Sequence, residues 1–397
     1  MKKFLLIFLV ALLAILPFVS SNNVAFAASE SEEYKQSEIY KFVEEFLTEC
    51  PSRNGVENQR IAANWLANKF SELVGYKVLP SHFGEGNTVV GYNVEVRLKG
   101  NGSSPKQVIV GAHYDSTGPG ANDNASGIAA MYFTMKNLVE SNEKLPFDVV
   151  FVAFGSEEEG LLGAQHYLNT MASENRQNTM VMFNLDSLGG GDNLYVFCEN
   201  KTTDLANLIV KKANGQILEK PHAAGVYPLD MFGYGYYEFI QGSDHTPFRL
   251  QGIPTAMFFA GNFHAFNFVE SKDSSKNVLN SNSDNLNSMN EFWGEEFVNK
   301  IETVYQILTV TLKDGEFLTV AENAKNQLVN NNLVFGTLWP TLASVAILAV
   351  VVLLGILYYR KLQKRAILGN AEAKEQPKVF TQPGVEDIFS FDDKDEK

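Results

Sequence analysis

Four short apolar runs constrain this chain more than any other feature: Gln107–Ala112, Asp148–Phe154, Met180–Leu185 and Thr255–Phe259. A strand with one wet face alternates polar and apolar residues. Near-continuous apolar runs of this length suit strands buried on both faces. Helical patterns separate them at Ser126–Glu140, Leu161–Met171 and Thr203–Asn214. Strand–helix alternation of this kind implies βαβ units and a mainly parallel sheet. Upstream, Ser31–Glu49 repeats Ile39, Phe42, Val43 and Phe46 at helical spacing, and Asn58–Leu73 sets Ile61, Trp65, Leu66 and Phe70 along one side. Edge strands are expected around Tyr76–Leu79 and Val89–Leu98, and one long amphipathic helix over Glu291–Leu312.

Polar motifs sit at or near the ends of the apolar runs. In order they are His113-Tyr114-Asp115-Ser116, Asn122-Asp123-Asn124-Ala125-Ser126-Gly127, Glu157-Glu158-Glu159-Gly160-Leu161-Leu162-Gly163 and Asn184-Leu185-Asp186-Ser187. Strand ends are where open α/β sheets bind ligands. Hard anionic donors gathered there with one imidazole suit divalent metals, zinc above all. A lone histidine at a strand end is more often structural. Here Asp115 lies two positions on, on the same face of an extended segment, where a carboxylate fixes the imidazole tautomer. Asp123 precedes a helix, so a capping role competes with a ligand role. Three adjacent glutamates repel one another, and a helix N-terminus offsets only part of that. A dication relieves it: one Glu ligates while another takes a proton from bound water. Asp186 ends a strand with no other reason to carry charge.

The ordered set resembles the M28 family of zinc exopeptidases, the aminopeptidase group with two zinc ions. The likeness covers roughly residues 50–312, beginning with Arg53-Asn54-Gly55-Val56-Glu57-Asn58 and taking in Tyr92-Asn93-Val94-Glu95-Val96. It implies an α/β three-layer sandwich, a mostly parallel central sheet flanked by helices. It implies His113 and Asp186 as ligands of one metal, Asp123 as the bridge, Glu158 as ligand of the other, Asp115 as the group orienting His113, and Glu157 as general base. Ser243-Asp244-His245 resembles a further family element near the site. The family's last ligand is a histidine, and the matching position here holds Asn280. An amide oxygen is a weaker zinc donor than imidazole. His264 and His245 stand as substitutes, and one or two zinc ions are consistent with the residues. The resemblance implies metal-dependent hydrolysis of peptide bonds, from the N-terminus. A non-catalytic ectodomain that binds a partner is the alternative, with Asn280 as its mark.

The ends of the chain set its location. Lys2 and Lys3, the apolar Phe4–Val19 and the small-x-small Ala25-Phe26-Ala27 read as a cleaved signal over residues 1–27. Residues 333–359 carry no charge and are followed by Arg360, Lys361, Lys364 and Arg365. That pattern predicts one transmembrane helix with the basic side in the cytoplasm. Residues 28–332 are then an extracellular domain, and 360–397 a cytoplasmic, disordered tail. A net charge of −14 disfavours nucleic acid as a partner. Cys50 and Cys198, the two cysteines, form no CxxC, so a thiolate metal site is excluded.

Overall fold

The computed structural model describes residues 33–198, 203–214, 242–262, 269–331 and 339–372. The signal over 1–27 and His264 lie outside the described residues. Two units divide the chain, Met1–Asn332 and Leu333–Lys397.

The first unit is built on seven strands: β1 (Ser81–Glu85), β2 (Thr88–Leu98), β3 (Gln107–His113), β4 (Asp148–Phe154), β5 (Thr179–Leu185), β6 (Asn193–Cys198) and β7 (Thr255–Gly261). They form one sheet in the order β1-β2-β4-β3-β5-β7-β6. Strands β4, β3, β5 and β7 are mutually parallel, while β2, β1 and β6 join antiparallel at the margins. The four expected apolar runs are these four central strands. The sheet is therefore parallel where the site lies and mixed as a whole.

Register places the polar motifs side by side. His113 pairs with Phe154 across β3 and β4, and Gly111 pairs with Asn184 across β3 and β5. Two residues further on, His113 and Asp186 come level. Glu157 follows β4 by three residues. Neighbouring strands lie about 4.8 Å apart, so three consecutive strand ends converge within ligand distance of one another.

Helices α1 (Glu38–Glu49), α2 (Val56–Val74), α3 (Gly127–Glu140), α4 (Leu162–Thr170), α5 (Ser173–Asn178), α6 (Thr203–Ala213), α7 (His245–Leu250), α8 (Leu286–Phe292), α9 (Glu295–Leu312) and α10 (Phe317–Asn331) complete the unit. The larger core joins α1, α2, α3, α6, α9 and α10 to one sheet face through Val108, Val110, Phe151 and Phe183. The smaller core lies on the other face, where Ile109, Val150, Val152 and Phe154 meet Ala164, Leu168 and Phe248. Both faces are covered, which is why the central runs carry no polar alternation.

Several elements depart from the sequence reading. No strand forms over Tyr76–Leu79. Val78 turns inward with its N–H on Ser71 Oγ, while Tyr76 is 48% and Leu79 65% exposed. Ile61 is 45% exposed, because the buried face of α2 is Gln59, Ala62, Ala63, Leu66, Ala67 and Phe70. The helix expected over Glu291–Leu312 is two helices, separated at Gly294, whose φ of 53° with ψ of −125° only glycine adopts without strain. Cys50 and Cys198 are both buried and are not joined to each other.

The second unit is helix α11 (Trp339–Glu372). Its segment Ser344–Lys364, of mean hydropathy 2.1, is long and apolar enough to cross a membrane and is not buried by protein. Helix extends past Arg360 to Glu372, further than expected. Ala366, Ile367 and Leu368 follow the basic cluster and continue the helix readily. The tail from residue 373 lies outside the described residues.

Candidate metal centre

His113 closes β3, and its ring is 2% exposed. One ligand atom each from His113, Glu157 and Asp186 fall within 4.8 Å of one another, all three side chains buried. Among the described residues this is the one such group. Asp123 joins from the turn after β3, its Oδ1 3.1 Å from His113 Nε2; Asp186 Oδ1 is 3.6 Å from the same nitrogen. Asp123 Oδ1 is shut off from water, and the His113 imidazole is the group that meets it. Asp123, Asp186 and Glu157 around one buried imidazole bring more negative charge than that ring offsets, an excess that a divalent cation would balance.

The other imidazole nitrogen behaves differently from expectation. His113 Nδ1 lies 3.2 Å from the main-chain carbonyl of Asp115, and the Asp115 carboxylate stands back at 3.7 Å. That carboxylate instead accepts the N–H groups of Glu157 and Glu158, each at 3.1 Å. Asp115 thus ties the end of β3 to the glutamate turn as well as fixing the ring. Arg53, fully buried, supports the same segment from behind. It donates to the carbonyls of Tyr114 at 2.6 Å and of Pro119 and Gly120 at 2.8 Å.

The Asn-Asp-Asn-x-Ser segment divides its labour. Asp123 turns to the centre. Asn122 Oδ1 accepts the N–H of Gly189 and Gly190, and Asn124 Oδ1 accepts those of Gly127 and Ser187. Ser126 Oγ accepts the N–H of Leu188. The loop carrying Asp123 is thereby bolted to the loop carrying Asp186. Asn124 also fills the capping role open to this segment, through the N–H of Gly127 that leads α3. Gly127 admits no side chain, since a Cβ would run into Asn124 Oδ1 and the Leu185 carbonyl.

Asp186 is steadied by hydroxyls, Ser187 Oγ at 2.9 Å and Ser243 Oγ at 2.7 Å. Ser156, before Glu157, and Ser187, after Asp186, both hold positive φ, at 55° and 51°. Such backbone costs about 1–3 kcal/mol each and persists where surroundings over-determine it, typically at functional sites. Asn93 pins the glutamate turn, donating to the Gly163 carbonyl at 2.9 Å and accepting from Gly155 N at 3.2 Å.

Electrostatics follow from burial and crowding. Burial raises the Glu157 carboxyl well above the ordinary range. The His113 charge opposes this, while Asp244, Asp186 and Asp123 add to it. Burial, then the Asp123 charge, pushes Glu158 up to about 8. Burial opposes an imidazolium at His113, yet Glu157 and the Asp115, Asp123 and Asp186 carboxylates hold its pKa well above normal. The Asp186 carboxyl is lowered: burial works against it, and His113 with the two serine hydroxyls outweighs burial.

Of the expected site residues, His113, Asp123, Glu157 and Asp186 converge, and Asp115 stands directly behind them. Glu158 lies to one side, with Thr117 N donating to its Oε1 at 3.3 Å and the Asn280 amide against it. His245, a candidate substitute ligand, lies at the start of α7 with Nδ1 3.5 Å from Asn184 Nδ2. Arg53, Ser243 and Asp284 lie in segments that carry the resemblance and Glu270 does not, but the contacts by which these four buried residues shape the site are not announced by the sequence. Their partners are backbone groups or lone side chains distant along the chain, which leave no spacing to read.

The model of peptidase family M28 matches residues 93–293. The chain belongs to this family. Aminopeptidase YwaD of Bacillus subtilis is 33% identical over 177 residues, covering 42% of this chain and 35% of that protein. A probable lipoprotein aminopeptidase, LpqL of Mycobacterium tuberculosis, is 33% identical over 178 residues, 43% of this chain and 34% of its own. The chain therefore spans about a third of the length of these relatives. Among solved structures, LapA aminopeptidase of Legionella pneumophila superposes with a TM-score of 0.51 at 18% identity, over 68% of this chain and 70% of that one. That likeness shows the shared α/β sandwich. M28 membership and the His113–Glu157–Asp186 cluster together indicate a metal-using site.

Proposed function

We propose that this M28 member is a zinc-dependent exopeptidase that removes residues from the N-terminus of short peptides at the cell surface. The observation that carries the reading is the buried convergence of His113, Glu157 and Asp186, with Asp123 against the same imidazole nitrogen. One imidazole with carboxylate oxygens suits zinc. His113, Asp123 and Asp186 would hold one ion, and Asp123 with Glu158 a second. A bound ion supplies an activated water and polarises the scissile carbonyl. The chain's own groups do the rest. Glu157 would take the water's proton at its carboxylate and return it to the leaving amine. Asp115, through the Glu157 N–H, keeps this carboxylate over the centre. Ser243 and Ser187 hold Asp186 in one rotamer.

The curated relatives' names support the aminopeptidase assignment. The apolar Ser344–Lys364 helix and the basic residues at its C-terminal end support a single-pass protein with residues 28–332 outside, following a signal at 1–27. The test is metal analysis of the purified protein with turnover of a panel of aminoacyl chromogenic substrates. Stoichiometric metal and release of the chromophore are expected. Metal-free protein with no turnover on any member of the panel would contradict the reading.

A further inference from the structure

The residue before Glu157 carries the strain of its turn. Ser156 is buried with a φ of 55°, a left-handed conformation that serine keeps only where its surroundings hold it. The main chain beyond it is already fixed. The Glu157 carbonyl accepts the N–H groups of Gly160 at 2.9 Å and Leu161 at 2.8 Å, and the Ser156 carbonyl accepts that of Leu162 at 2.9 Å. Asp115 accepts the Glu157 N–H. The torsion at Ser156 is therefore what aims the Glu157 side chain.

Gln59, 1% exposed on α2, reaches that serine. Its side-chain amide meets Ser156 Oγ at 3.0 Å, and the Val90 carbonyl lies 3.3 Å from the same hydroxyl. The bond survives either orientation of the amide, because a hydroxyl both donates and accepts. The fit is close: a Cβ on Gly91 of β2 would come within 2.6 Å of Ser156 Oγ and 3.0 Å of Gln59 Oε1. The far end of the amide, Nε2, is shut off from water and has no partner among the described residues. A half-satisfied buried amide lowers stability, and methionine would fill the space without that penalty. The use of the amide thus lies in the end that meets Ser156.

We infer that Gln59 is a positioning residue: through Ser156 it holds the left-handed turn that keeps Glu157 over the metal centre. The inference rests on the reading of Glu157 as base and deepens it. Released from Gln59, Ser156 relaxes toward negative φ and swings Glu157 out of line. A misplacement of about 1 Å in a reacting group costs on the order of 10²-fold in rate.

The test uses the full chain in detergent, loaded with zinc, with metal content, denaturation midpoint, kcat and KM measured for each variant. Gln59→Met and Ser156→Ala are each expected to keep the metal and the KM, with kcat lower by about 10–10²-fold. The Gln59→Met midpoint should not fall, which separates positioning from a structural role. Both variants break one contact, so the double variant should lose no more kcat than the worse single one. Wild-type kcat in Gln59→Met would overturn the inference alone. So would losses that multiply in the double variant, or loss of metal or fold in Gln59→Met in step with its activity. Wild-type kcat in Glu157→Gln, or no turnover by the wild type, would overturn the reading of Glu157 itself.

Discussion

At the scale of single residues, the centre depends on groups that never reach the reacting atoms. Asp284 shows this. Its two oxygens satisfy the N–H groups of Asn122 and Asp123, and these have no other described partner. Asp284→Ala leaves both buried and orphaned, at a cost on the order of 1–3 kcal/mol each. A lower denaturation midpoint is expected, with metal affinity lost alongside because Asp123 loses its seat. Unchanged denaturant and metal titrations would show that the contact does not matter. In the sequence Asp284 lies in the Asn280–Asn285 segment that resembles the family's last-ligand motif, but nothing there shows that its oxygens serve the N–H groups of Asn122 and Asp123. Asp186, by contrast, is legible because a charge at the end of Met182-Phe183-Asn184-Leu185 has no bland explanation. The same holds for Glu157 and Glu158, whose mutual repulsion has to be answered by something. The contacts of Arg53 leave no such trace, because its partners are the carbonyls of Tyr114, Pro119 and Gly120, which any residue carries.

At the scale of elements, the parallel strands are legible and the margins are not. Burial on both faces writes a continuous apolar run, and β3, β4, β5 and β7 each have one. Strand β1 contains Gly84 and ends at the Gly86 turn, and only Phe83 within it is buried, so it leaves no pattern. Strand β6 follows Gly189-Gly190-Gly191 and is short, though nearly all of it is buried. Helix α10 lies beyond the expected elements too, and it carries an unusual contact. Lys325 donates from Nζ to the carbonyls of Arg176 at 3.2 Å, Gln177 at 2.6 Å and Thr179 at 2.6 Å, closing the end of α5. Burial, with a smaller push from Lys106, lowers this amine from 10.5 to about 8. Between those two values the unfolded chain binds the proton and the folded chain has released it, so stability contributed by this group rises with pH. Denaturation midpoints measured from pH 8 to 10.5 should therefore climb more in the wild type than in Lys325→Met. Parallel profiles would show that Lys325 keeps its ordinary pKa.

At the scale of the whole molecule, one architectural fact organises the rest. The site lies at the C-terminal ends of three adjacent parallel strands, where register alone brings His113, Glu157 and Asp186 together. The charged motifs follow β3, β4 and β5, two of them after β3, and their order along the chain is legible for that reason. The place of Asn280 is legible only through the resemblance, since locally it depends on a segment held by Glu270 and Asp284. The proposed topology has its own consequence. Protease added to intact cells should remove residues 28–332 and spare a small C-terminal fragment, and a protected domain would contradict an extracellular placement. The central claim, that Glu157 is a base working beside a metal held by other residues, is tested most directly by Glu157→Gln assayed for metal content and turnover on the same sample. The account predicts unchanged metal content with turnover lower by about 10²–10⁴-fold. Wild-type turnover in that variant, with its metal retained, would contradict it.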